Sequence, residues 1–198
     1  MVQRSAIRLG ILLSGSGRSL QNLSDCIEAG RLNARIAVVV SSRPGVLGLE
    51  RARNLGLVTK TVDRRSLDDM AFQDGITRSL NEAKVDLVCM AGFLSLWRVP
   101  AEYKGRVMNI HPALLPEFGG AGWYGMKVHR AVLAAGKKES GCTVHFCNDH
   151  YDQGPIILQR RVPVLADDTP ESLAARVFEQ ECIAYPQAIR TYAEGRLL

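Results

Sequence analysis

IRLGILLSGSGRSLQNL, residues 7–23, passes from an unbroken apolar run through a glycine–serine turn into a helical pattern. Ile7–Leu13 reads as a strand apolar on both faces, the habit of parallel strands covered by helices on each side. Ser14-Gly15-Ser16-Gly17 is then a tight turn, and Ser19–Ala29, closed by Gly30, a helix. A strand, turn and helix in that order open a βαβ unit, so the rest of the chain is read for its repetition.

The alternation continues. Ala34–Ser41 reads as a strand, Val46–Leu55 as a helix stopped by Gly56, and Leu57–Val62 as a strand. Ser66–Lys84 is a longer helix with Ser66 as its N-cap, in spite of Gly75; Val85–Ala91 and Arg106–Ile110 are two more strands. The last third changes character. CTVHFCN (142–148) and PIILQRRVPV (155–164), joined by DHYDQG, predict an antiparallel pair. Thr169 suits an N-cap and Pro170 a first helical position, opening a helix through Tyr185, with Pro186 starting another short one that ends near Gly195. The class is therefore α/β: a doubly wound, mostly parallel sheet with an antiparallel C-terminal strand pair. A single domain over 1–198 is expected, with halves of about 1–105 and about 106–198.

Composition narrows the partners. With 46% apolar and 23% charged residues the chain can bury a sizeable core. The 25 Lys and Arg, giving a net charge of +5, are scattered rather than gathered in the dense stripe that nucleic-acid binding uses. Mild basicity suits anionic small molecules. Five cysteines without a CxxC pair argue against a disulfide framework and for a reducing, cytoplasmic setting. MVQRSAIRLGILLSGSG reads as a first strand rather than a signal peptide, and no apolar run approaches the ~20 residues of a membrane span.

Three places carry chemistry. At the Ser14–Gly17 turn, glycines free backbone N–H groups for an anion, the helix start adds partial positive charge, and Ser14, Ser16 and Ser19 add hydroxyls. It is neither G-x-G-x-x-G nor a P-loop, and a turn kept for geometry alone is the alternative. In RVMNIHPALLPEFGG (106–120), Asn109 and His111 share one strand face, at the carboxyl end where α/β sheets bind ligands; a structural Asn and a core His are the alternative. In HYDQGP (150–155), Asp152 is either an ordinary turn residue or a carboxylate that raises the His111 pKa and keeps it charged at neutral pH. Cys142, His145, Cys147 and His150 form no trusted zinc spacing, and strand alternation turns Cys142 away from His145 and Cys147, so no metal is expected. Trp97 and Trp123 read as pocket walls or packing.

SGSGRSLQNL, AGFLSLW (91–97), NIHPALLP (109–116), HFCNDHYDQGPIILQ (145–159) and VFEQECIAYP (177–186) together resemble the phosphoribosylglycinamide formyltransferase family, in order and over nearly the whole chain. The resemblance implies a Rossmann-like formyltransferase fold. It also implies transfer of a formyl group from 10-formyltetrahydrofolate, as co-substrate, to the amine of glycinamide ribonucleotide in de novo purine biosynthesis. The transfer would be direct, through a tetrahedral intermediate. Carried over by residue, it makes Asn109, His111 and Asp152 catalytic, places Gly15, Ser16, Gly17, Arg18 and Ser19 at the substrate phosphate, and Glu181 near the ribose. Phe93, Leu94, Ser95, Leu96, Trp97, Asn109, His150, Tyr151 and Asp152 would line the folate pocket. Arg18 and Ser19 replace the family's Ser-Asn, Ser95 stands where many members have Arg, and Arg64 or Arg65 is the candidate phosphate arginine. GGAGWYGMKVH (119–129) is longer than the family's segment over the substrate. Two small molecules are the implied partners of a monomer or homodimer, with no nucleic acid, membrane or metal.

The rivals are formyltetrahydrofolate deformylase and methionyl-tRNA formyltransferase. Each is expected to carry a further domain, for which a chain starting its first strand at residue 7 and stopping at 198 leaves no room. A nucleotide-binding module without catalysis is the third reading, and it has no need of the Asn109, His111 and Asp152 set.

Overall fold

Strand β1 (Ile7–Leu13) is the core of the first half: Leu9, Ile11, Leu12 and Leu13 have no solvent exposure. The computed structural model describes residues 5–197; Met1–Arg4, the charged start of the sequence reading, and Leu198 lie outside the described residues. The chain divides into two units, residues 1–108 and 109–198. Its seven strands follow the order β3-β2-β1-β4-β5-β6-β7 in one sheet, and among the described residues five α-helices flank it. No helix among the described residues is long and apolar enough to cross a membrane.

In the first unit, β1 pairs in parallel with β2 (Ala34–Ser41) and β4 (Leu87–Met90), and β2 with β3 (Thr59–Thr61). Helix α1 (Arg18–Glu28) buries Leu20, Leu23 and Cys26, one helical face, and α2 (Leu47–Asn54) buries Gly48, Leu49 and Ala52. Helix α3 (Asp69–Glu82) packs through Phe72, Ile76 and Leu80. It starts later than the sequence suggests. Asp68, not Ser66, is its N-cap, accepting the Ala71 N–H at 2.8 Å, while Ser66 closes the preceding turn onto the Asp63 carbonyl. Two glycines inside elements are explained by contact. A Cβ on Gly10 would stand 2.5 Å from Leu80 Cδ2, and one on Gly75 2.9 Å from Val62 Cγ1.

Strand β5 (Val107–His111) closes the first unit and opens the second. There β6 (Glu139–Phe146) and β7 (Ile156–Pro163) pair antiparallel, as their sequence predicts, with a bulge at Val144/His145. Helix α4 (Met126–Ala134) has no clear sequence signal because the glycine-rich 119–125 precedes it; Val128, His129 and Val132 are its buried face. Helix α5 (Pro170–Ala193) has Thr169 as N-cap, bonded reciprocally with Ser172, and Pro170 in its first turn. It does not break at Pro186 but runs 24 residues without interruption. Pro186 gives up one helical N–H, a loss offset by burying Ala184, Tyr185, Pro186, Ala188 and Ile189.

Gly10→Ala should destabilise the protein by about 1–3 kcal/mol through overpacking, read as a lower urea midpoint at unchanged slope. Leu80→Ala in the same chain should recover part of that loss, because the pair shares one space. A Gly10→Ala protein as stable as wild type would contradict the packing described.

Candidate active site

The second unit gathers its polar groups at the end of β5. Asn109 and His111 lie on that strand two residues apart, and the Asp152 carboxylate reaches both. Asn109 Nδ2 donates to Asp152 Oδ1 at 3.3 Å, and His111 Nδ1 stands 3.5 Å from Asp152 Oδ2. The Gly120 N–H donates to Asp152 Oδ2 at 2.9 Å. Three backbone features hold the carboxylate there. Asp152 takes a left-handed φ of 56°, which Asp tolerates better than most residues. Gly119 lies so close that a Cβ would meet Asp152 Cβ at 3.3 Å and Leu115 Cδ2 at 2.4 Å. Gly154 admits no side chain at all, since a Cβ would stand 1.7 Å from the Phe146 carbonyl oxygen.

A fourth member was missed as a catalytic candidate in the sequence. His145, on β6, accepts from Asn109 Nδ2 through Nε2 at 3.2 Å and stands 3.5 Å from Asp152 Oδ1. Its Nδ1 donates to the Phe146 carbonyl at 2.9 Å, which leaves Nε2 as the acceptor of the Asn109 hydrogen bond. The register shift at Val144/His145 falls on the partner strand, where Ile157 is skipped, so His145 keeps the face that it shares with Thr143. The signal available was the period-two pair Thr143 and His145. Thr143 Oγ1 donates to the Ala113 carbonyl at 2.6 Å and accepts the Leu115 N–H at 3.1 Å, bracing the segment that follows His111. Cys142, by contrast, faces α5, where burial pushes its thiol up to about 12, with Glu181 adding to the shift. Among the described residues no group of three or more His, Cys, Asp or Glu side chains is set to hold a metal.

The charge state of His111 differs from the sequence expectation. Burial lowers its pKa below the ordinary imidazole value, although Asp152 and the Phe118 carbonyl pull the other way. Its Nε2 donates to the Phe118 carbonyl at 2.8 Å, so the resting ring is neutral with its proton on Nε2. His129, buried on α4 with Nδ1 lacking any hydrogen-bond partner, is lowered by burial and, to a lesser degree, by the neighbouring His111. For Asp152, burial alone would raise the carboxyl; the neighbouring His145 and His111 and the Gly120 N–H bring it below the usual carboxylate value.

The other predicted residues of this unit stand as follows. Glu181 is half-buried on α5, and His150 and Tyr151 are exposed in the turn before Asp152, with the His150 N–H on Asn148 Oδ1 at 3.0 Å. In the first unit, Gly15, Ser16, Gly17, Arg18 and Ser19 form the β1–α1 turn, with Ser16 and Arg18 exposed and Ser19 half-buried. Gly17 is the α1 N-cap with φ 71°, without a side-chain cap and with no acid in the first turn. Ser14 is not an anion donor: its hydroxyl is buried, 2.6 Å from Ser42 Oγ, and accepts the Leu94 N–H at 2.9 Å. That bond fixes the segment after β4, where Phe93 stacks on Phe72, Ser95 is half-buried, and the Leu96 carbonyl accepts from Gln73. Trp97 is core, 1% exposed, with its N–H on Thr77. Arg64 pairs with Asp69 at 3.4 Å and lies over the Phe72 ring, and Arg65 is exposed. The arginine that touches the turn is Arg51, whose Nε donates to the Ser16 carbonyl at 3.0 Å.

An amide, two imidazoles and a carboxylate meeting at a strand end, with no serine or thiol among them, equip a site for direct acyl transfer. The family model described as formyl transferase matches residues 7–189, and the chain belongs to that family. It is 39% identical over 203 residues to the trifunctional purine biosynthetic protein adenosine-3 of Drosophila melanogaster, all of this chain aligning with 15% of that protein. It is 37% identical over 191 residues to phosphoribosylglycinamide formyltransferase of Escherichia coli (strain K12), covering 94% of this chain and 87% of that one. The crystal structure of glycinamide ribonucleotide transformylase 1 from Symbiobacterium toebii superposes with a TM-score of 0.90 at 44% identity, over 99% of this chain and 92% of that chain. The chain thus spans 14–15% of the Drosophila trifunctional relatives and most of the single-function ones.

His111 and His129 bind protons less readily in the folded chain than in the unfolded one. As pH falls through the ordinary imidazole value of ~6.5, the unfolded chain takes up protons that the folded chain refuses. Stability is therefore full above that value and is lost as pH falls towards the folded pKa values. Urea midpoints should drop between about pH 7.5 and 5, and drop less in His111→Gln. Equal pH slopes in the two proteins would contradict the lowered His111 pKa.

Proposed function

We propose that this chain transfers the formyl group of 10-formyltetrahydrofolate to the amine of glycinamide ribonucleotide, a step of purine biosynthesis. The convergence of Asn109, His111 and Asp152 in a member of the formyl transferase family carries the reading. The names of the E. coli and S. toebii relatives support the choice of acceptor. The ribonucleotide phosphate sits at the Gly15–Ser19 turn and the ribose near Glu181. The pterin lies against the Phe93–Leu96 segment and the His150–Asp152 turn, with the buried Trp97 as support only. The two units act as one formyltransferase domain, with small molecules as its partners.

The amine attacks the formyl carbon and a tetrahedral oxyanion forms. Asn109 gives one of its Nδ2 hydrogens to that oxygen, exchanging a long 3.3 Å contact for a charge-assisted one. His111 Nε2–H moves from the Phe118 carbonyl to the reacting group. Asp152 takes the proton of the attacking ammonium and passes it to His111 Nδ1, while Nε2 delivers its own proton to the folate nitrogen as the carbon–nitrogen bond breaks. Protons balance, and the imidazole needs no charge at rest. His145 holds the Asn109 amide in register from the other side.

Formyl loss from 10-formyltetrahydrofolate should depend on glycinamide ribonucleotide; equal loss to water would point to a deformylase instead. Asn109→Ala should lower kcat/KM by about a hundredfold or more, the usual cost of an oxyanion donor, and Asp152→Asn by about as much through loss of the proton acceptor, with folding retained. Asparagine keeps the left-handed backbone at position 152, so the second variant reads charge rather than strain. Turnover near wild type in either would remove that residue from the mechanism.

A further inference from the structure

Helix α2 is tied to the carbonyl side of the β1–α1 turn at two consecutive peptides. The Gly48 N–H donates to the Gly15 carbonyl at 2.9 Å, and Arg51 Nε donates to the Ser16 carbonyl at 3.0 Å. Contact there is so close that a Cβ on Gly48 would stand 2.8 Å from the Gly15 oxygen, and one on Gly17 2.7 Å from Gly48 Cα. In a planar trans peptide the C=O of one residue and the N–H of the next point in opposite directions. Holding Gly15 O and Ser16 O on α2 therefore turns the Ser16 and Gly17 N–H groups away from it. Neither N–H meets an acceptor among the described residues, and Gly17, the N-cap of α1, has no side chain with which to cap the helix. Arg51 makes no ion pair among the described residues, so its cationic charge stays unneutralised beside the turn.

We propose that Arg51 is a positioning residue for the phosphate monoester of the ribonucleotide: with Gly48 it presets the Ser16 and Gly17 amides, and it lends the turn a fixed positive charge. The proposal rests on the turn being the phosphate site. It adds a determinant from a different helix, 35 positions along the chain from the carbonyl it holds. Because the phosphate is remote from the reacting amine, the preset amides bind ground state and transition state alike and act on KM rather than on kcat.

The test is steady-state kinetics of the full chain with glycinamide ribonucleotide and with its dephosphorylated riboside, beside amide NMR during titration with inorganic phosphate. Arg51→Met, which keeps the aliphatic stem, should raise KM for the ribonucleotide by about tenfold or more, the weight of one charge-assisted hydrogen bond. Its kcat and KM for the folate should stay within about twofold, and its KM for the riboside should not change. Arg51→Lys, which keeps the charge and a donor, should recover part of the loss and stands in if Arg51→Met folds poorly. Equal weakening of ribonucleotide and riboside, or an unchanged KM for both, would overturn the role of Arg51. Failure of the wild-type Ser16 and Gly17 amides to shift with phosphate would overturn the phosphate reading of the turn itself.

Discussion

A buried carboxylate has to be surrounded by polar partners, and Asp152 obtains them from four directions: the Gly120 N–H, the Asn109 amide, His145 and His111. Much of the second unit follows from that demand. The turn after β6 comes close enough only because Gly154 presents bare backbone to Phe146, and Gly119 leaves room for the Asp152 side chain. Strand alternation along β6 aims an imidazole at the carboxylate, and Thr143 braces the chain that leaves His111. An unpaired buried charge is costly, so these contacts stand or fall together.

The first unit follows a different constraint, close approach of backbones. Gly10 lets α3 lie on β1, and the Gly17–Gly48 contact lets α2 lie on the β1–α1 turn. The turn thereby acquires a defined orientation, carbonyls held on one side and amides presented on the other. Ser14, inward and bonded to Ser42 and Leu94 N–H, joins that turn to the segment after β4. A turn held rigid in this way has less ordering left to lose on binding a ligand.

Much of this is legible in the sequence, and the failures have physical causes. β1 and β2 are read to the residue because continuous apolar runs have sharp ends, and Asn109 with His111 follow from a period of two. The antiparallel pair and the Thr169 cap are read from turn and cap chemistry. Local propensity fails where tertiary contact decides: α5 passes through Pro186 because that stretch is buried, and α4 hides behind glycines. His145 escapes as a site residue because alternation gives its face but not its partner Asn109, which lies 36 positions away on another strand. The resting charge on His111 is misread because the sequence names its carboxylate partner but not how completely the ring is enclosed. Arg51 gives no local signal at all, since the carbonyl it holds lies 35 positions away.

The proposed transfer needs a neutral His111 kept within reach of an ionised Asp152. NMR titration of the His111 ring nitrogens, in wild type and in Asp152→Asn, tests it directly. The ring should titrate below the ordinary ~6.5, carry its neutral-state proton on Nε2, and titrate lower still once the carboxylate charge is removed. A wild-type midpoint above the ordinary value, or one indifferent to Asp152→Asn, would contradict the coupling on which the mechanism depends.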